Sequence, residues 1–250
     1  MKLYVIACEV FCREFRTFSA SSPHLIDMAF QPFGLHDTPD QLRLETQQAI
    51  DKVPPDTYDY ILIGYGLCSR GTAELVAGKT PLVMVRAHDC ITFFLGSKER
   101  YLEQFTAQPG TYYYSSGWIE RKEGYSEQGH IRSVKLEEKE KRYAAYVEQY
   151  GEDNASYLID METQWLNNYG RAALIDMGVG DRESYRAFVQ EYAEKMDWEF
   201  QELPGDTALI SSFLAGDWDP EKFLVVPPGQ TVNDTYDDQI IAVEEIGEAT

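Results

Sequence analysis

Apolar and polar positions change in blocks along the chain, and the blocks alternate in kind. KLYVIACE, LIDMAFQP, YDYILIGYGL and PLVMVRA are short runs rich in branched and aromatic residues, the pattern of strands buried in a sheet. Between them, TPDQLRLETQQAIDKV carries apolar residues at helical spacing, with Thr38 or Asp40 placed near its start. TAELVAG reads as a short helix, and ITFFLGSKERYLEQFTAQ as a longer one stopped by Pro109-Gly110. TYYYSSGWIE returns to an extended pattern. Strand and helix in turn is the order expected of a mostly parallel sheet with covering helices.

From about Lys135 to Tyr169 the pattern is long, charged and helical in period, with a break at Gly151. Alternation then resumes as RAALIDMG strand, RESYRAFVQEYAEKMD helix, WEFQELP strand, TALISSFLAG helix and KFLVVPPG strand. The expected fold is therefore α/β and Rossmann-like: two lobes of mostly parallel sheet with covering helices, joined by a long helical connector. The lobes are expected at residues 1–130 and 171–250, with the connector at 131–170 between them. No internal repeat or low-complexity segment stands out.

Charge narrows the field of partners. Lys plus Arg number 22 against 42 Asp plus Glu, a formal net charge of -20. Such a surface repels phosphate backbones and anionic lipid, which speaks against nucleic acid and membrane partners. No stretch approaches the roughly 20 apolar residues of a membrane-spanning helix. The N-terminal apolar run is short and broken by Glu9, Arg13 and Glu14, so it reads as a first strand and the protein as cytoplasmic. Part of the acidic excess lies in VNDTYDDQIIAVEEIGEAT, which reads as a frayed or solvated tail.

Four cysteines are too few for a disulfide scaffold in a chain of 250 residues, which leaves metal ligation, thiol chemistry or plain burial. Cys8 follows YVIA, Cys68 follows YILIGYGL and Cys90 follows LVMVRAHD, so each lies at the exit of an expected strand. In open parallel sheets that edge is where loops and helix starts converge and ligands bind. His88 stands two residues before Cys90, and a His-x-Cys pair on an extended segment can aim both side chains to one side. Cys8, Cys68, His88 and Cys90 together make a three-sulfur, one-nitrogen set suited to Zn(II); a cluster of iron and sulfur is the other metal option. Taken singly, each cysteine also reads as a small buried hydrophobe. Cys12, in the first loop or helix, is read as packing.

Other residues are candidates for a small-molecule substrate around that centre. Arg86 is placed to orient an anionic group, and Asp89 to cap the following helix or fix the His88 tautomer. Gly66, His36, Trp118 and, from the second lobe, Asp176 complete the expected lining. GYGLCSRG lacks the Lys-Ser/Thr ending of a phosphate loop, and GVGDRESY lacks the third glycine of the dinucleotide fingerprint.

ACEVF, FGLHDTPDQL, YDYILIGYGLCSRGT, RAHDCITFFLGSKERYLEQF, PGTYYYSSGWIE and FLAGDWDPEKFLVVPPG resemble the bacterial and archaeal family DUF1638 over roughly residues 3 to 230. Val85 stands where the family pattern has proline. The resemblance implies the company of corrinoid-dependent methyl-transfer systems, and it maps a family site onto Cys8, His36, Cys68, Arg86, His88, Asp89 and Cys90. His-x-Cys with a remote Cys is also similar to the zinc site of methylcobamide:thiol methyltransferases. The leading expectation is a metal-binding enzyme or accessory factor of corrinoid-linked one-carbon metabolism. The alternatives are a non-catalytic metal or cofactor carrier, and a metal-free thiol enzyme using Cys68 or Cys90 with His88 as base.

Overall fold

The apolar runs at the start of the chain form strands β1 (Lys2–Cys8), β2 (Leu25–Gln31), β3 (Tyr60–Gly64) and β4 (Leu82–Val85) in a computed structural model that describes residues 1–122 and 134–245. Helices α1 (Cys12–Ser19) and α2 (Pro39–Asp51) follow β1 and β2. Two helices, α3 (Ile91–Leu95) and α4 (Lys98–Ala107), occupy the stretch read as one, because Gly96 takes a left-handed φ of 86° between them. Strand β5 (Thr111–Tyr114) is followed directly by helix α5 (Ser116–Lys122), where the sequence suggested continued extension. Helices α6 (Val134–Tyr150) and α7 (Glu152–Thr163) meet at Gly151, as the pattern predicts. Then come β6 (Arg171–Asp176), α8 (Arg182–Met196), β7 (Glu199–Pro204), α9 (Ala208–Ala215), β8 (Phe223–Val226), β9 (Gln230–Asp234) and β10 (Ile241–Glu245).

The fold is α/β with mostly parallel sheets. In the first sheet the order is β2-β1-β3-β4-β8, with β1 to β4 parallel and β8 antiparallel at the edge. Strand order therefore reverses between β1 and β3, which makes that seam the topological switch point where open α/β sheets bind ligands. The strands are nearly continuous in burial: Leu3, Val5, Ile6, Leu62, Ile63 and the whole of β4 are 1% exposed or less. Covering of both faces explains why their sequences do not alternate.

Pairing, not chain order, divides the molecule. β5 pairs with β6 and β6 with β7 in a separate parallel sheet, and β8 returns to β4, so the two compact units are 1–102 with 205–250, and 103–204. Boundaries at 130 and 170 therefore give way to ones set by hydrogen bonding. The second unit has its own core, in which Tyr114, Tyr192 and Trp198 pack with Ile119, Leu174 and Val189.

Two local readings change for tertiary reasons. TAELVAG is not helical: Glu74 and Ala77 donate their N–H groups to the carbonyls of Val232 and Gln230, and Val232 donates to Leu75, so the segment lies along β9 instead. The supposed frayed tail supplies that partner, since β9 and β10 form an antiparallel hairpin in which Ile241 is fully buried. Residues 246–250 of that tail lie outside the described residues, as do residues 123–133, the end of the expected first lobe and the start of the expected connector. Among the described residues no helix is long and apolar enough to cross a membrane.

Candidate functional site

Register places the first sulfur. Cys8 ends β1 opposite Gln31 of β2, and the pairing of Ala7 with Gly64 puts Tyr65 beside it on the other flank. Gln31, Cys8 and Tyr65 thus share one face of the sheet, because side chains alternate along strands. Gln31 is held there by Thr46 of α2, whose hydroxyl donates to its Oε1 at 3.0 Å. On the opposite face a side chain at Gly64 would lie 2.5 Å from the Ala7 Cβ and 2.8 Å from Phe15 of α1. Only glycine lets the strands and α1 close there.

The second and third sulfurs come from two loops laced together past the ends of β3 and β4. Leu67 N–H donates to Ala87 and Cys68 N–H to His88, each at 2.8 Å. A Cβ on Gly66 would stand 2.7 Å from the Asp89 nitrogen and 2.9 Å from the Ala87 carbonyl oxygen, so this glycine is required by backbone approach. Its placement supports the loop and gives it no side chain with which to bind a substrate. Cys68, Ser69 and Arg70 then run through left-handed φ values of 46°, 56° and 69°. Three such residues in succession without glycine cost about 1–2 kcal/mol each. The turn is held by Gly71 N–H to the Cys68 carbonyl, by the Thr72 hydroxyl to Gly66, and by the ion pair of Arg70 with Asp234. Strain that the surroundings over-determine is a mark of functional segments.

Asp89 lies one residue before the N-cap position of α3, Cys90; its Oδ1 accepts the Ile91 N–H at 2.9 Å, and its Oδ2 accepts the Tyr101 hydroxyl at 3.0 Å. Cys90 follows at the helix start. His88 is exposed, and the contact that ties it to the site is its backbone carbonyl. His36 is near the same edge of the sheet: its loop is tethered by Phe33 N–H to Glu9 Oε2, and its ring lies 3.4 Å from Asp37.

Burial dominates the electrostatics. It pushes the Cys8 thiol up to about 11, with Glu9 adding to the rise. Cys68 is pushed up to about 12 by burial and then by Asp89 and Cys8. Cys90 is raised well above the ordinary thiol value by burial, Asp89, Cys68 and Cys8 in that order. Part of Cys68 and of Cys90 reaches the surface, yet the protein packed around each still governs its thiol. Asp89 itself is raised by burial against its hydrogen-bond donors. Tyr65 is raised by burial and then by Cys8, Cys68, Glu45 and Glu9. The sulfurs therefore act on one another, in company that is acidic, and they are neutral at pH 7. A helix start at Cys90 does not overcome desolvation, although the positive end of a helix by itself lowers a nearby thiol.

The remaining candidates are engaged elsewhere. Arg86 donates to the carbonyls of Pro220, Gln239 and Ile241, fastening β10 and the segment before β8. It borders a cleft of about 150 Å³ shared with Thr92, Lys98, Glu221 and Lys222. Trp118 and Asp176 belong to the second unit. Trp118 packs edge-on against Tyr112 and Tyr114, and Asp176 is ion-paired with Arg182 and accepts the Gly178 N–H. Burial pushes the Asp176 carboxyl up, but Arg182 more than offsets this and holds it below its ordinary value.

Tyr65, Glu9 and Glu45 escaped the sequence reading. The clue to Tyr65 is its place between two glycines at a strand exit. Among the described residues, no group of three or more His, Cys, Asp or Glu side chains already stands in a metal-ligating arrangement. No curated protein and no solved structure matches the chain. A sequence model described as a protein of unknown function, DUF1638, matches residues 30–214, and the chain belongs to that family.

Proposed function

We propose that the chain holds a thiophilic metal ion, Zn(II) in the first instance, at the β1/β3 switch point. Cys8, Cys68 and Cys90 are its sulfur donors, and Asp89 or His88 supplies a further one. The observation that carries this reading is the meeting of the sulfurs with acidic neighbours. Thiols buried beside Glu9 and Asp89 form a place that a cation relieves and an anion does not. Among the described residues no ligating group stands ready, so on this reading the ion itself would have to draw the thiols together. Metal binding deprotonates such ligands and completes the site as it does so.

The raised thiols weigh against the metal-free alternative. A thiol near 11 is ionised in only about one molecule in ten thousand at pH 7, a poor nucleophile without a cation beside it. A cluster of iron and sulfur would satisfy the same sulfurs. The bound ion would supply Lewis acidity and favour thiolate on a thiol substrate. The wider role, as an enzyme or accessory factor of corrinoid-linked methyl transfer, rests on the family resemblance.

Elemental analysis of protein purified without oxygen tests the reading. We expect about one equivalent of zinc, or a matching iron content, in the parent, lost in both Cys68→Ala and Cys90→Ala. A parent without either metal, or full retention in both variants, sinks it.

A further inference from the structure

The buried hydroxyls of Tyr65 and Thr92 have no hydrogen-bond partner among the described residues. Tyr65 stands in a turn crowded on both sides, at Gly64 by Ala7 and Phe15 and at Gly66 by Ala87 and Asp89. Thr92 has room beside it: it is 2% exposed and lines the cleft of about 150 Å³ that Arg86 borders. An unpartnered buried hydroxyl costs roughly what a lost hydrogen bond costs, and native folds seldom leave one. Helix α3 begins at Ile91, so Thr92 has no preceding helical turn whose carbonyl its hydroxyl could reach.

The cleft lies wholly within the first unit and has two kinds of wall. Val85 and Leu209, both nearly fully buried, make an apolar side. Lys98 and Lys222 make a basic one. Lys98 donates to the Asp238 carbonyl at 2.8 Å, which leaves two of its three N–H groups. The Lys222 ammonium has no ion pair or hydrogen bond among the described residues. Arg86 is spent on carbonyls and adds its charge at a distance. At the rim, the Glu99 carboxyl is held below its ordinary value by its own backbone N–H and, against burial, by the Ser97 hydroxyl, Lys98 and Lys222. A carboxylate is therefore already favoured at this edge.

We infer that the cleft binds the carboxylate of a small organic acid. The Thr92 hydroxyl donates to one of its oxygens, Lys98 and Lys222 offset its charge, and its carbon end lies on Val85 and Leu209. The volume is well below the roughly 300–1,000 Å³ of sites for drug-sized ligands, so the acid has only a few carbons. Glu99 and Glu221 border the same space and repel a second negative charge, which favours a monocarboxylate over phosphate. The net charge of -20 opposes any anion at long range, so affinity is expected in about the millimolar range. Neither sulfur nor metal takes part, and the inference stands apart from the metal reading.

Propionate is titrated into the isotope-labelled full chain while amide NMR shifts are followed, with propionamide and inorganic phosphate as the neutral and more highly charged comparisons. In the parent, propionate gives saturable shifts at Thr92, Ser97, Lys98 and Lys222, and both comparisons bind at least about tenfold more weakly. Thr92→Val binds propionate about tenfold more weakly, the effect of one hydrogen bond to a charged acceptor, and Lys222→Met about threefold more weakly. Thr92→Val melts no lower than the parent, because the change removes an unsatisfied hydroxyl, and this also shows that the variant folds. A parent without saturable shifts, or with shifts that saturate elsewhere, overturns the inference. So does equal propionate affinity in the parent and Thr92→Val, or a clearly lower melting point in that variant, which would mean that the fold itself satisfies the hydroxyl. Phosphate bound as tightly as propionate overturns the organic-acid assignment in favour of a general anion site.

Discussion

Replacing Gly66 with alanine probes how the site is held together. An added Cβ would meet the Asp89 nitrogen at 2.7 Å, the Asp89 Cα at 2.9 Å and the Ala87 oxygen at 2.9 Å. All three are backbone atoms, so no flexible side chain can swing aside. The loops must part, and what joins them is the Leu67 to Ala87 and Cys68 to His88 hydrogen bonds, each 2.8 Å. Overpacking of this kind costs about 1–3 kcal/mol, and weakening two backbone bonds adds about 0.5–1.5 kcal/mol apiece. The expected loss is about 2–6 kcal/mol, a large part of the roughly 5–15 kcal/mol that stabilises a typical domain.

Urea unfolding measures it, with Gly78→Ala as the control, because a Cβ there meets nothing within 4 Å. The control should stay within about 0.5 kcal/mol of the parent. Gly66→Ala should unfold at distinctly lower urea, and on the metal reading it should also lose metal, since the loop that carries Cys68 has moved from the one that carries Cys90. If the two variants unfold alike, the close approach at Gly66 does not secure the site and the reasoning fails.

Two further outcomes follow from the same geometry. In metal-free protein the raised Cys8 and Cys68 thiols are protonated at neutral pH, so iodoacetamide labelling at these positions should accelerate close to tenfold per unit between pH 7 and pH 9; a rate that levels off below pH 8 contradicts the assigned burial. Arg86→Met removes the donors that hold Pro220, Gln239 and Ile241, so amide exchange should quicken along β10 while metal content stays unchanged; metal loss without faster exchange would return Arg86 to the site.

What could be read from the sequence follows from how local each cause is. Strands β1, β3 and β4 were legible because burial on both faces leaves an apolar run, and the reactive residues stood out at the ends of those runs. Gly151 and Asp89 act on their immediate neighbours, and their roles were visible too. TAELVAG was not, because its backbone is claimed by β9, more than 150 residues away in the chain. The unit boundaries were hidden for a similar reason: nothing local to KFLVVPPG says that β8 turns back to pair with β4. The direction of the thiol shifts was not legible because a helix start is a local cause, whereas desolvation depends on everything packed around the sulfur. Tyr65 was overlooked because a tyrosine near a strand end looks like ordinary packing until its hydroxyl is found without a partner.

The desolvation that makes these thiols poor nucleophiles is also what suits them to an ion. In a region of low effective dielectric, a charge is costly alone and strongly attracted to an opposite one. On the metal reading, a neutral Cys68 beside Asp89 would become favourable as a thiolate only when a cation arrives, and the proton it gives up would leave the site. Affinity should therefore climb steeply with pH. A chain of net charge -20 draws cations toward it from a distance, so the global field and the local need have the same sign. Arg86 fits this account in its observed place. A guanidinium beside the sulfurs would hold them as thiolates without a metal, whereas spent on three carbonyls it would leave that task to the proposed ion.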